Sequence, residues 1–63
     1  MIKKIKTCDL RPGDVVVFAD LRDIVVRVES GAAATLQVDV MRGNLNTWWL
    51  AGRDALQSVE VTT

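Results

Sequence analysis

Histidine and tyrosine are absent from this 63-residue chain, and cysteine, proline and phenylalanine occur once each. Without histidine there is no conventional Ser-His or Cys-His pair to activate a nucleophile. A zinc cluster built from cysteine and histidine is excluded for the same reason. Cys8 has no second cysteine to bridge to, which points to a reducing, cytoplasmic setting. There is no excess of either charge: 8 basic and 8 acidic side chains give a formal net charge of zero. The strongly basic total that commonly marks a dedicated nucleic-acid protein is therefore missing; the balance concerns the total and does not exclude a local patch. No apolar run approaches a membrane span. The basic start Met1-Ile2-Lys3-Lys4-Ile5-Lys6 is followed by Cys8, Asp9, Arg11 and Asp14, where a signal peptide would need an apolar segment.

What is present is β-branched and aliphatic sequence punctuated by turns. Pro12 presets φ at the second position of a β-turn, Gly13 suits the positive φ of a type II turn, and Asp14 can bond back to the turn. Val15 to Phe18 then reads as a strand. Ala19-Asp20-Leu21-Arg22-Asp23 reads as a loop rather than a two-residue hairpin turn. In the next strand Ile24, Val26 and Val28 are expected inward, with Val25, Arg27 and Glu29 outward. Leu36, Val38 and Val40 alternate with Thr35, Gln37, Asp39 and Met41, the cleanest half-buried strand of the chain.

Arg42-Gly43-Asn44 is a further turn, and Leu45 to Leu50 a strand carrying Trp48-Trp49. Adjacent strand positions face opposite sides, so one indole enters the core and the other lies outside; Trp49 is favoured for the inside. A slip of one residue would exchange them. Ala51 to Leu56 reads as a single helical turn or bend, and Ser58 to Val61 as a closing strand with Val59 and Val61 inward. Ile2 and Ile5 among Lys3, Lys4 and Lys6 suggest a short first strand whose lysines protect an edge. No repeat, low-complexity tract or linker divides the chain, so residues 1–63 are one domain.

The expected architecture is all-β: a small five-stranded antiparallel barrel with one short helical turn before the last strand. Leu10-Arg11-Pro12-Gly13-Asp14-Val15-Val16, the Val25-Val26-Arg27-Val28 strand and the Arg53-Asp54-Ala55-Leu56 turn together resemble the SH3-like barrels, in particular KOW-type barrels and the amino-terminal barrel of elongation factor P. The resemblance implies the fold. The loop at which elongation factor P presents a basic residue is here Ser30-Gly31-Ala32, so the translation role is not carried over.

Candidate chemistry is sparse. Cys8 lacks an activating base; Asp14 is explained by its turn, and Asp20 and Asp23 by a solvated loop rather than a metal site. Gly43 and Gly52 match no phosphate-binding loop. No catalytic residue, metal, cofactor or small-molecule substrate is inferred. Two binding readings are left. In the first, a non-catalytic interaction module meets a protein partner or a second copy through outward Val25, Met41 and Trp48. In the alternative, a small RNA- or single-stranded-DNA-binding barrel uses Lys3, Lys4, Lys6, Arg27 and Arg42 for phosphates and Trp48 for stacking.

Overall fold

Arg11-Pro12-Gly13-Asp14 folds as its residues require. Gly13 takes a φ of 97°, the Asp14 N–H donates to the Arg11 carbonyl at 3.1 Å, and the Asp14 carboxylate accepts from the Arg11 N–H at 2.9 Å. This is the type II turn with its aspartate brace. The turn also clamps a neighbouring strand: the Gly13 N–H donates to the Val25 carbonyl, and the Val25 N–H to the Asp14 carbonyl, both at 2.8 Å.

The structure, a computed structural model, describes residues 1–61. Six strands, β1 (Ile2–Lys6), β2 (Val15–Phe18), β3 (Leu21–Ser30), β4 (Thr35–Arg42), β5 (Leu45–Gly52) and β6 (Leu56–Glu60), form one antiparallel sheet in the order β1-β6-β2-β3-β4-β5. The sheet is all-β as expected, but it has six strands rather than five and its hydrogen bonding does not close. The expected helical turn before the last strand is a β-turn instead, closed by the Ala55 N–H on the Gly52 carbonyl at 3.1 Å. Among the described residues the helical turn lies elsewhere, as one turn of 3-10 helix at Thr7–Asp9. The Gly52–Ala55 turn is held against that segment: the Thr7 and Cys8 N–H groups donate to the Ala55 and Arg53 carbonyls at 2.9 and 3.1 Å.

The connection from β5 to β6 forces the sheet to curl. Four inter-strand steps separate them in the sheet, about 19 Å if it were flat at roughly 4.8 Å per step. Gly52 and Leu56 are only four residues apart, and so at most about 14 Å. The sheet therefore rolls up, and its concave side becomes the core. Leu10, Val16, Val25, Val38, Val40 and Val59 fill it, with Ile5, Val28 and Trp49 packed against them.

Two expectations change here. Ala19 and Asp20 make a two-residue turn after all, because Ala19 accepts a φ of 53° without glycine, and Phe18 pairs directly with Leu21. Leu21, Arg22 and Asp23 thereby become strand, and Asp23 turns inward opposite Val16. Second, β3 carries a bulge: Val25 pairs with Val40 and Arg27 with Asp39, leaving Val26 without an opposite residue. An extra residue reverses the inward-outward alternation across it. So Val25 is 2% exposed and in the core, while Ile24 and Val26, expected inward, lie outside. The clamp from the Pro12-Gly13 turn fixes Val25 in that orientation. The turn expected at Arg42-Gly43-Asn44 forms: Gly43 takes a positive φ (62°) at the first central position of a two-residue loop between β4 and β5, the place of glycine in a type II′ turn.

Candidate protein-binding surface

The outer face of β3, β4 and β5 carries Ile24, Val26 and Trp48, all exposed, with half-buried Met41 between them. Ile24 is paired with Met41, and Trp48 with Asp39. The bulge residue Val26 and Trp48 line a shallow depression of about 240 Å³ together with Asn46 and Thr47. Trp48 is 57% exposed, and Trp49 packs on the core, the arrangement favoured from the sequence. Of the residues expected to make a protein contact, Met41 and Trp48 lie on this face. Val25 does not, because the bulge turns it into the core; Ile24 and Val26 stand in its place. A bulge leaves no signature in the apolar pattern Ile24-Val25-Val26, which fits either parity.

The residues expected to hold nucleic acid are not brought onto one surface. Arg27 Nε donates to Asp39 Oδ2 at 3.2 Å and lies 3.2 Å from Glu29 Oε1. Arg42 points inward, where its Nε and Nη2 donate to the two Asp23 carboxylate oxygens at 2.7 and 2.9 Å. Both guanidinium charges are matched by carboxylates. Lys3, Lys4 and Lys6 sit on β1, with Lys4 donating to Ser58 Oγ at 2.7 Å and Lys6 lying 4.0 Å from Asp54. Alternation along the strand sends Lys3 to the side opposite Lys4 and Lys6.

Asp23 is the polar centre that the sequence reading assigned to solvent. It is 5% exposed, and besides Arg42 it accepts from Trp49 Nε1 at 3.2 Å. The hydrogen bond from Arg42 holds its carboxyl below the usual carboxylate range, against the opposing effect of burial, with the Arg42 charge and the Trp49 bond lowering it further. Arg42 is held more firmly protonated by the same bond. Among the described residues no buried side-chain nitrogen or oxygen is left without a partner, those of this cluster included. Its chemistry is therefore that of a positioning element: it anchors β3, β4 and β5 to one another and fixes the Trp49 ring.

Above the cluster, where β2 and β6 part after pairing only at Val15 and Val16, the curled sheet leaves a groove of about 580 Å³ beside β5. Its walls include Phe18 (74% exposed), Leu50 (58%) and Leu56 (62%), together with Trp49, Ala51 and Lys4. Among the described residues no three histidine, cysteine or acidic side chains converge as a metal site. Nor is any helix long and apolar enough to cross a membrane. No protein-family model, curated protein or solved structure matches the chain.

Proposed function

We propose that the protein is a non-catalytic interaction module that binds protein through the outer face of β3, β4 and β5. The observation that carries this reading is the exposure of Ile24, Val26 and Trp48 side by side around Met41. A contiguous apolar patch on a chain this small is costly in water and is relieved when a partner covers it. An exposed tryptophan beside Val26, with Asp39 opposite it, is also the kind of anchor that dominates binding at protein interfaces. We further infer that the curled sheet is a variant of the SH3-like small barrel, supported by the Pro12-Gly13-Asp14 turn and the roll that brings the end of β5 to the start of β6. The nucleic-acid reading keeps only its three lysines and Trp48, on separate surfaces, since Arg27 and Arg42 are matched by carboxylates.

A photo-cross-linking amino acid placed at Val26 in the host cell tests the proposal, with the same substitution at Glu29 as control. Discrete protein adducts at position 26, lost when Trp48→Asp is added, are expected. Adducts to RNA, or the same faint pattern at both positions, would overturn it.

A further inference from the structure

We infer that the partner is a second copy of this chain, joined by antiparallel pairing of β5 with β5 about a two-fold axis at Trp48. This rests on the protein-binding reading above and supplies its partner.

The sheet has two free edges, β1 and β5. An unpaired edge is a template for another strand, and charge, proline or brevity normally blunts it. β1 is short and carries Lys3, Lys4 and Lys6, so two copies of β1 would set like charges opposite each other. By contrast, β5 runs for eight residues, Leu-Asn-Thr-Trp-Trp-Leu-Ala-Gly, with no charge and no proline. The whole chain has zero formal charge, so no general repulsion keeps two copies apart.

The main chain of β5 is self-complementary about Trp48. A two-residue loop makes Arg42 and Leu45 the hydrogen-bonded closing pair of the hairpin. By alternation Thr47, Trp49 and Ala51 direct their main-chain groups to β4, while Asn46, Trp48 and Leu50 direct theirs to the open side. These three positions are symmetric about the middle one. A two-fold axis at Trp48 therefore sets Asn46 opposite Leu50 of the second copy, Trp48 opposite its equivalent and Leu50 opposite Asn46, with about six main-chain hydrogen bonds.

The same register accounts for side chains that the monomer leaves in water. On the outer face the two Trp48 rings become a cross-strand aromatic pair, beside the Val26 of each copy. On the inner face Leu45 of the second copy lies opposite Ala51, at the groove lined by Phe18 and Leu56. Leu45 is itself 62% exposed in the monomer, and this pairing carries it toward the side of the groove where Phe18, Ala51 and Leu56 lie among polar residues.

Sedimentation velocity from micromolar to millimolar concentration tests the pairing. A monomer–dimer equilibrium is expected, with Asn46→Lys and Leu50→Lys each raising the dimer Kd at least tenfold and Lys3→Glu leaving it unchanged. All of these positions are exposed, and unchanged circular dichroism verifies the fold. In a Cys8→Ser background, Asn46→Cys with Leu50→Cys should oxidise to a disulfide-linked dimer. Within one copy the two positions are about 13 Å apart along the strand, too far to bridge. A monomer at every concentration, a dimer untouched by both lysine substitutions, or the absence of interchain disulfides would each overturn the inference. The protein-binding reading would then stand or fall separately, on the adducts at Val26, which lies off β5.

Discussion

At the scale of single residues, Asp23 carries the most consequence. Its carboxylate is the shared acceptor of Arg42 and Trp49, so three strands meet at one side chain. Because Arg42 holds the folded-state pKa of Asp23 below that of the unfolded chain, its stabilisation is complete above the unfolded value of about 3.9. It is lost as pH falls through the lower folded value. Asp23→Asn removes this dependence and weakens the bonds to Arg42. We expect the variant to be about 1–3 kcal/mol less stable at pH 7, the usual effect of impairing a buried, charge-assisted hydrogen bond. Denaturant melts of both proteins should show a constant difference from pH 7 to about 5 that shrinks below about pH 4. A difference independent of pH down to pH 2 would show that Asp23 acts by packing alone.

At the scale of elements, the bulge in β3 decides which residues the protein shows to its surroundings. Val25 and Val28 both face the core because Val26 is the extra residue between them. Deleting Val26 leaves Val25 inward, Arg27 outward and Val28 inward, the regular alternation of a strand. Deleting Val28 instead would send Glu29 toward the core position that Val28 holds opposite Val38. We therefore expect the Val26 deletion to unfold cooperatively, within about 2 kcal/mol of the parent, and the Val28 deletion to lose its cooperative thermal transition. Calorimetry of the two deletions decides it; equal damage from both would mean that the bulge itself, through the curvature it imposes, is needed for folding. Val26 is exposed on the outer face, so a folded Val26 deletion would also remove one member of the outer patch and test the proposed contact.

At the scale of the whole molecule, the charge pattern separates the two binding readings. Acidic and basic groups are equal in number, and both inward and outward arginines of the β3–β5 sheet are matched by carboxylates. Phosphate binding needs cations that release counterions on contact, which gives a steep salt dependence. Titration with mixed-sequence single-stranded RNA should therefore leave the tryptophan emission unchanged at low salt as well as at physiological salt. Quenching that saturates and is reversed by salt would place Trp48 and the β1 lysines in a nucleic-acid site and displace the protein-binding reading. The small valine-rich core fits a chain that gains stability from a partner, because chains of this size bury only about 60% of the surface they would otherwise expose.

By itself the sequence determined the all-β class, the type II turn at Pro12-Gly13, and the inward set Leu36, Val38 and Val40, whereas the β4–β5 register decided which indole lies outward. Each follows from a local rule: fixed φ at proline, freedom at glycine, or period-two alternation in a strand. It did not determine what depends on contacts between distant segments. The bulge at Val26 arises because the Gly13–Asp14 turn and Val40 both hold Val25. The two-residue turn at Ala19-Asp20 forms because the pairing of β2 with β3 outweighs the mild strain of one alanine at positive φ. That pairing carries Asp23 from an apparent loop into a buried network with Arg42 and Trp49. The open groove and the uncharged free edge of β5 exist only once the sheet has rolled, because strand order and edges are properties of the assembled sheet and of no single segment.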